Sequence, residues 1–410
     1  MKLWDVVVIG AGAAGLLAAS RAAERGLQVL LLEKNRKPGV KILMSGGTRC
    51  NLTQATDRKG IVRAFGDQGS FLHSALAALG PAELVDLIEA EGVPTKVEPT
   101  GKIFPASDKA NDVLQGLLRR LQRSGCHLAL GQSVSRLEMC PSGWSITTAT
   151  ETHLTRQVIL TTGGRSYPGC GTAGDGYLWA KQAGHTILPQ RPALVPVTLQ
   201  EPWLEVMKGL TVPDVRLQVR DAHGETLDSR RGSFLFTHWG CSGPAVLDIS
   251  RVISGHPHPR QLQLVCDFLP DIPAGSLDDR LRAGLTAMGK RHLAAFAIDP
   301  LPRRLCDLLL AVAEVDPQRR AAEVSKADRQ RLAGLLKNLP LRVTGTLGFE
   351  KAEVTAGGVC RTEVDSRSMH SKVAAGLYLA GEVLDLDGPI GGFNFQAAFS
   401  TGWLAGSSVG

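Results

Sequence analysis

The sequence of 410 residues predicts an α/β protein whose main domain is divided in sequence by a long insertion. Three observations lead to this prediction. A buried strand, a glycine-rich turn and an Ala-rich helix open the chain. The middle of the chain alternates apolar strands with turn residues and then changes to helical spacing. A last apolar strand and a glycine-rich turn into a helix close the chain, so the opening pattern returns at its end.

The opening segment has the spacing of a dinucleotide-binding turn. Asp5 and the apolar run Val6–Ile9 are followed by Gly10, Gly12 and Gly15 in the order G-x-G-x-x-G. In such a turn the first glycine permits the tight bend, the second lets the backbone approach a pyrophosphate, and the third allows close packing of helix on sheet. We therefore expect a Rossmann-like fold, with the helix 13–25 pointing its N-terminal N–H groups at phosphates.

A second strand strengthens this interpretation. Val29–Leu32 is wholly apolar and ends at Glu33, eighteen residues after Gly15, where an acid can accept hydrogen bonds from ribose hydroxyls. A glycine-rich turn in an ordinary α/β domain is the alternative, but it explains neither the helix nor the acid. A second G-x-G-x-x-G, Gly169–Gly174, follows no strand, and we interpret it as a turn that leads into a helix at Asp175.

Composition limits the class of protein. Hydrophobic residues make up 43% of the chain, and no run of about eighteen uninterrupted apolar residues occurs, so we expect no membrane span. The eight cysteines include no C-x-x-C pair and no Cys/His cluster with zinc spacing. We expect reduced thiols, no metal and a cytoplasmic location. The net charge of +7 is compatible with an acidic partner.

The order of the remaining elements predicts three domains. In the first half we expect a Gly- and cation-rich loop over 37–51, helices over 81–91 and 107–123, the latter capped by Ser107 and Asp108, and strands between 127 and 160. Strand patterns follow from 194 to 268, and helical spacing from 276 to 339. The expected domains are 1–192 with 344–410, 193–275 with 341–358, and 276–340.

Six motifs resemble one known family. They are Lys41–Asn51, Thr162–Pro168, Gly174–Tyr177, Phe236–Ala245, Gly381–Asp385 and Gly391–Gln396. Together they resemble the bacterial aminoacetone-oxidase-like family of NAD(P)/FAD-dependent oxidoreductases, which are flavoproteins of the two-dinucleotide-binding type, over essentially the whole chain. The resemblance implies a Rossmann-like FAD-binding domain split in sequence, with an inserted β-barrel-like domain and a small helical domain. One departure is Thr48, where many relatives have a third glycine.

The resemblance also implies a cofactor and its site. We expect tight, non-covalent FAD, with NADH or NADPH as the electron donor. In this framework the Gly-Glu region contacts the ribityl chain, and the last helix points its N-terminus at the pyrimidine edge of the flavin. Lys41 and Arg49 either anchor phosphate or oxyanions or are solvated loop charges. The expected cofactor-binding residues are Gly10, Gly12, Ala13, Ala14, Gly15, Glu33, Lys34, Lys41, Ser45, Gly46, Gly47, Arg49, Cys50, Asn51, Val134, Thr162, Gly163, Gly164, Gly381, Glu382, Gly391, Gly392, Phe393, Asn394 and Gln396.

Members of this family are linked to reduction of polarised C=C bonds, in a steroid-like ring or in a uracil of large-subunit ribosomal RNA. Such a reaction needs a proton donor. Cys50 is one candidate, because the adjacent Arg49 would lower its pKa; the alternative is a small buried residue in a tight loop. His238 is the other candidate, in a turn after an apolar strand, and its alternative role is to cap that turn.

Charge distribution bears on the partner. Residues 276–342 contain thirteen Lys and Arg against eight Asp and Glu, so they hold five of the seven excess positive charges. This basic helical insertion is expected to contact phosphates of ribosomal RNA, whose uracil would be flipped out and stacked on Phe393, Phe395, Trp239 or Tyr167. A solvated basic helix face is the alternative. The remaining alternatives are a small unsaturated carbonyl or amine substrate, and a flavin-binding redox sensor without turnover.

Overall fold

The computed structural model describes residues 3–410, and its contacts divide the chain into two compact units, 3–192 with Phe349–Gly410 and Ala193–Gly348. Elements are numbered in chain order through both units. The strands of the first unit are β1 (Leu3–Ile9), β2 (Val29–Glu33), β3 (Thr53–Gln54), β4 (Thr95–Val97), β5 (Lys102–Pro105), β6 (His127–Leu130), β7 (Val134–Cys140), β8 (Gly143–Thr148), β9 (Thr152–Leu160), β10 (Ile187–Ala193), β17 (Val354–Val359) and β18 (Leu377–Leu379). Its helices are α1 (Ala13–Glu24), α2 (Val40–Thr48), α3 (Arg58–Ala64), α4 (His73–Ala78), α5 (Pro81–Ala90), α6 (Ala110–Arg123), α7 (Asp175–Gln182) and α13 (Phe393–Ser408).

The main sheet of the first unit has the order β6-β2-β1-β9-β8-β7, and β18 also pairs with β9. Strand β1 runs parallel to both β2 and β9, with Val8 opposite Leu31 and Ile159. Strand β18 is parallel to β9 as well. Because parallel strands end at the same edge of a sheet, the turns that follow β1, β2, β9 and β18 meet there. These are the turns that the sequence analysis singled out.

Small residues bring two helices of this unit close together. A Cβ atom at Gly402 in α13 would lie 2.2 Å from the carbonyl oxygen of Ala14 in α1, and one at Gly406 would lie 2.3 Å from that of Ala18. Only glycine fits at these two positions, so the last helix of the chain can pack directly on the backbone of the first.

The second unit is a closed barrel with helices. Its antiparallel strands have the order β11-β14-β13-β12-β15-β16. They are β11 (Val197–Leu199), β12 (Thr211–Arg220), β13 (Thr226–Thr237), β14 (Gly240–Ser242), β15 (Gln263–Asp267) and β16 (Leu339–Thr346), and the helices are α8 (Leu204–Met207), α9 (Pro244–Gly255), α10 (Ala274–Met288), α11 (Arg303–Val312) and α12 (Lys326–Lys337). The predicted fold class, a split Rossmann-like domain with an inserted barrel and helices, is confirmed.

The barrel and the helices of the second unit share one hydrophobic core. Phe234 and Leu264 of the barrel and Leu281, Leu305 and Leu336 of the helices belong to the same buried cluster. Strand β17, most of which was predicted to belong to the inserted β-domain, pairs with β10 of the first unit. The three-domain boundaries of the sequence analysis stay a prediction.

Two local expectations were wrong. The segment 37–51, expected to be a loop, contains α2, whose helical geometry breaks at Ser45–Gly47. The expected cap of α6 also differs, because the helix begins at Ala110 and Asp108, at a φ of 55°, pairs with Lys96 and Arg49 instead.

Among the described residues, no single helix has the length and apolar composition to cross a membrane. One bent pair, Gly66–Ala78 with Pro81–Ala90, meets those two criteria together, with an angle of 42° between its segments.

Candidate nucleotide-binding site

Two glycines of the turn after β1 are required by the packing of the fold, and a third is not. A Cβ atom at Gly15 would lie 1.8 Å from the carbonyl oxygen of Gly10, and one at Gly10, whose φ is 102°, would lie 2.7 Å from that of Thr161. A Cβ atom at Gly12 would meet nothing within 4 Å. Gly12 is also the N-cap of α1, which has no side-chain cap and no acidic residue in its first turn. This helix end therefore presents N–H groups and positive dipole to open space.

Glu33 holds this turn in place. Its Oε2 accepts a hydrogen bond from the N–H of Ala11 at 2.8 Å, and its Oε1 accepts one from the N–H of Asn35 at 2.9 Å. The residue is 7% exposed. Since each carboxylate oxygen has two lone pairs, both can still accept a bond from a hydroxyl group.

Two other predicted residues near these strands lie at the edge of the site. Lys34 forms an ion pair with Asp175 at 2.5 Å, which ties the end of β2 to the start of α7. Val134 begins β7 and packs, half-buried, against the core of the first unit. The interpretation of Asp175 as a helix start is confirmed.

The turn after β9 is bonded to the turn after β1. The hydroxyl of Thr161 lies 2.9 Å from the carbonyl oxygens of both Ile9 and Gly10. Gly163 has a φ of 75°, and a Cβ atom at Gly164 would lie 2.4 Å from the hydroxyl of Thr355. The Oγ1 atom of Thr162 is buried without a hydrogen-bond partner among the described residues. This hydroxyl packs against the start of α7, where a Cβ atom at Gly176 would lie 2.0 Å from it.

A four-residue network, the Lys41–Glu382 network, connects the turn after β18 to the rest of the site. Lys41 Nζ donates to Glu382 Oε2 at 2.5 Å and to Ser166 Oγ at 2.6 Å. Glu382 Oε1 accepts from Ser166 Oγ and from the N–H of Thr355, both at 2.8 Å. Lys41 is therefore neither a solvated loop charge nor a free phosphate anchor. Gly381, which precedes Glu382, has a φ of 77°.

Ser166 and Thr355 were not among the predicted site residues. Ser166 stands inside the motif Thr162–Pro168, which was a usable signal. Thr355 comes from β17, and its hydroxyl accepts the N–H of Arg165 from 190 residues earlier in the chain. No local sequence pattern could have predicted that contact.

The loop after α2 is attached to the start of α13 through Asn51. With its amide oriented to satisfy both ends, the Asn51 oxygen accepts the N–H of Gly392 at 2.9 Å, and its nitrogen donates to the carbonyl oxygen of Thr53 at 3.1 Å. Helix α13 has no side-chain cap and no acidic residue in its first turn. What α13 offers to a ligand is consequently its backbone end, near Gly391–Phe393.

The side chains of Asn394 and Gln396, both predicted to bind cofactor, are used within the fold. Asn394 accepts the N–H of Gly388 at 2.8 Å and donates to the carbonyl oxygen of the same residue at 2.9 Å. Gln396 is fully buried and donates to the carbonyl oxygen of Leu79 at 3.1 Å. Both side chains position α13.

Arg49 is also engaged by protein groups. Its guanidinium forms ion pairs with Glu98 at 2.6 Å and Asp108 at 3.4 Å and stacks 4.0 Å from the centre of the Phe104 ring. The hydrogen bond to Glu98 is the main reason that the pKa of Arg49 is raised. The neighbouring Ser45, Gly46 and Gly47 form the non-helical bend of α2.

The predicted reactivity of Cys50 is wrong. The residue is fully buried, and burial raises the pKa of its thiol to about 12, although a hydrogen bond with Ser45 lowers it. The charge of the adjacent Arg49 is directed at Glu98 and Asp108 instead. A thiol in this position stays protonated and inaccessible.

His238, the other predicted proton donor, belongs to the second unit. It is exposed in the turn between β13 and β14, and its ring meets the Trp239 ring edge-on at 6.0 Å. Across residues 3–410, no three His, Cys, Asp or Glu side chains are grouped to hold a metal ion.

Comparison with known proteins identifies the family. Residues 4–408 match the family described as the HI0933-like protein Rossmann domain. The chain belongs to this family. The prediction of a FAD-dependent oxidoreductase family from the sequence motifs is confirmed at this level.

Two curated relatives of this HI0933-like protein cover almost all of it. A ribosomal RNA dihydrouridine synthase of Escherichia coli is 34% identical over 413 residues, which is 100% of this chain and 98% of the relative. A 3-dehydro-bile acid delta(4,6)-reductase of Clostridium scindens is 32% identical over 406 residues, or 98% of each chain. The crystal structure of a 3-ketosteroid delta1-dehydrogenase from Sterolibacterium denitrificans shares the fold, with a TM-score of 0.54 and 15% identity, over 100% of this chain and 99% of that one.

Proposed function

We propose that the first unit binds FAD non-covalently at the edge where β1, β2, β9 and β18 end, and that NADH or NADPH supplies the electrons. The observation that carries this proposal is the pairing of an uncapped α1 with open space at Gly12. That combination fits a pyrophosphate, which needs backbone N–H donors and no side chain in its way.

Other residues fit the same group. Glu33 has lone pairs left for ribose hydroxyls. The backbone end of α13, which Asn51 fixes and no acid neutralises, suits the electron-rich pyrimidine edge.

Bound FAD would supply hydride to an electron-poor C=C bond. The chain itself must bind the substrate, exclude water and deliver a proton. Of the two proton donors predicted from the sequence, His238 stays a prediction. The Cys50 thiol is fully buried. The Lys41–Glu382 network holds the turn after β18 in position.

Two glycine variants test the cofactor site. Gly12→Val should leave the fold intact, because its Cβ atom meets no protein atom, but should yield protein without flavin. Gly15→Ala should unfold the turn itself, because its Cβ atom would overlap the carbonyl oxygen of Gly10. Absorbance of released flavin and circular dichroism of each variant distinguish the two outcomes. A Gly12→Val protein that retains FAD would refute the site.

We further propose that the acceptor is a uracil of large-subunit ribosomal RNA, reduced to dihydrouridine. The 34% identity with a ribosomal RNA dihydrouridine synthase and the basic excess in 276–342 support this acceptor. Mass spectrometry of ribosomal RNA from a deletion strain should show loss of dihydrouridine, and plasmid-borne protein should restore it.

A second candidate function, reduction of a small unsaturated carbonyl compound, is favoured by one observation, the 32% identity with a bile acid reductase. If dihydrouridine persists in the deletion strain, a small unsaturated carbonyl compound becomes the substrate class. Anaerobic NADH or NADPH should bleach the bound flavin in either case. Flavin that neither nucleotide reduces would favour a redox sensor without turnover.

A further inference from the structure

Most of the positive charge in the helical segment 276–342 of the second unit is already neutralised within the protein. Arg304 donates to the carbonyl oxygens of Met207 and Lys208. The cations with an acidic partner are Arg282, Arg303, Arg319, Arg329, Arg331, Lys337 and Arg342. Within residues 3–410, six cations of the segment lie within ion-pair distance of no carboxylate: Arg280, Lys290, Arg291, Arg304, Arg320 and Lys326. The charge available to a partner is therefore confined to these positions.

Three of these six cations lie on two adjacent backbone segments. The stretch 289–294 runs antiparallel to 317–322: Leu293 N–H donates to Arg319 O, and Ala321 N–H donates to Arg291 O, both at 2.9 Å. His292 is directly opposite Arg320 in this pairing. Directly opposed residues have Cβ atoms about 4.5 to 5.5 Å apart. We call Lys290, Arg291, His292 and Arg320, all of them exposed, the 290/320 edge.

Acidic groups around this edge do not cancel its charge. Glu323 accepts the backbone N–H of Arg320 at 3.4 Å, and it is the one carboxylate bonded to the edge among the described residues. Asp328 is held by Arg319 and Arg331. Three cations thus face one carboxylate.

The guanidinium of Arg291 has a fixed place in this edge. It donates to the carbonyl oxygens of Met288 and Ala287 at 3.3 and 3.4 Å, at the C-terminal end of α10. A cation is favourable at a helix C-terminus, so Arg291 is held close to the pairing of His292 with Arg320. Positive charges held this close repel each other, and an anion bound between them would reduce that repulsion.

We propose that the 290/320 edge binds the phosphate backbone of the RNA, independently of base sequence. This inference rests on the RNA acceptor proposed above. The segment 276–342 contains one aromatic residue, Phe296, and that residue is 3% exposed within the core. Apart from the imidazole of His292, the edge has cations for phosphates and no aromatic ring on which a base could stack.

Two matched double variants test the edge. Lys290→Gln with Arg320→Gln removes two unpaired cations, whereas Arg282→Gln with Arg303→Gln removes two exposed cations that already pair with Asp279 and Asp307. The probes are an unmodified transcript of large-subunit ribosomal RNA and an unrelated double-stranded RNA of equal length. Each phosphate contact contributes about 0.7 to 0.9 to the slope of log affinity against log salt, so the first pair should lower that slope by about 1.4 to 1.8.

The second pair should lower the slope by less than half as much, and the first should weaken binding of both RNAs by the same factor. FAD content and the thermal midpoint should match wild type in both. Equal effects of the two pairs, no effect of the first, or loss confined to the ribosomal transcript would overturn the proposal. So would binding to phosphatidylglycerol vesicles, in place of RNA, with the same dependence on Lys290 and Arg320.

The test separates this inference from the proposed function. If wild-type protein makes dihydrouridine in the transcript and the first pair binds and modifies it normally, the edge is wrong and the RNA acceptor stands. If wild-type protein neither binds nor modifies the transcript, both proposals fail together.

Discussion

Lys41 donates a hydrogen bond to Glu382 over 2.5 Å, although 341 residues separate them in the chain. The contact joins the start of α2 to the turn after β18, so it closes the part of the fold that the insertion interrupts. The side chains of Lys41 and Glu382 are 24% and 17% exposed, which places the ion pair between the surface and the interior. Ser166 and Thr355 complete the bonding of the carboxylate.

Replacing Lys41 should therefore be costly. We expect Lys41→Met to lower the free energy of unfolding by about 1–3 kcal/mol, between the effects of exposed and buried pairs, because Glu382 keeps its charge but loses its cation. Urea unfolding at matched FAD occupancy measures this. Lys37→Met, at an exposed lysine of the same segment, is the control and should change stability by less than about 0.5 kcal/mol. Equal losses in the two variants would contradict the role given to the network.

The contact of α1 with α13 makes a second prediction. Gly402→Ala should destabilise the protein by about 1–3 kcal/mol or more, because its Cβ atom would lie 2.2 Å from the carbonyl oxygen of Ala14. The matched control is Gly334→Ala in α12, where nothing lies within 4 Å. That change should stabilise by about 0.5–1 kcal/mol, because alanine is the better helix former. Shifts of the thermal midpoint in the same direction for both variants would contradict this prediction.

Local pattern was sufficient to predict the parallel core and the opening turn. Strand, turn, helix and acid around Gly10 and Glu33 lie within a short stretch, and residues 6–9 of β1 and all of β2 are buried on both faces. The same reasoning failed at Cys50, because its pKa depends on which way a positive-φ loop turns the thiol. The hydrogen bond of the Gln396 side chain could not be predicted either, since its partner Leu79 is 317 residues away.

Thr48 occupies a backbone conformation that suits glycine. Its φ is 69°, in the left-handed region, which is strained for a β-branched side chain. We expect Thr48→Gly to stabilise the protein by about 0.5–1 kcal/mol, since relief of strain exceeds the entropy that glycine adds to the unfolded chain. Thr48→Asn should stabilise less and Thr48→Val should not stabilise. Chemical unfolding of the three variants ranks them, and a destabilised Thr48→Gly would show that the loop needs the threonine.

His185 makes stability depend on pH. It is 3% exposed, with Nδ1 3.2 Å from Glu363 and Nε2 2.9 Å from the hydroxyl of Ser371. The order Ser, His, Glu is that of a hydrolase triad, but Ser371 is 2% exposed and its oxygen accepts the N–H groups of Val373 and Ala374. These hydrogen bonds therefore attach the turn at Ser371 to His185, and the three side chains do not form a nucleophilic site.

Burial lowers the pKa of His185 from its ordinary value of 6.5, against the opposing hydrogen bond and charge of Glu363. The unfolded chain then binds a proton that the folded chain excludes, so the contribution to stability is present above 6.5 and is lost as the pH falls below it. We expect the free energy of unfolding to decrease from about pH 7.5 to about pH 5.5, and His185→Gln to make that decrease smaller. Urea unfolding at several pH values compares the two proteins. An identical pH dependence in the variant would mean that other groups carry it, because the neutral amide of glutamine has no proton to take up.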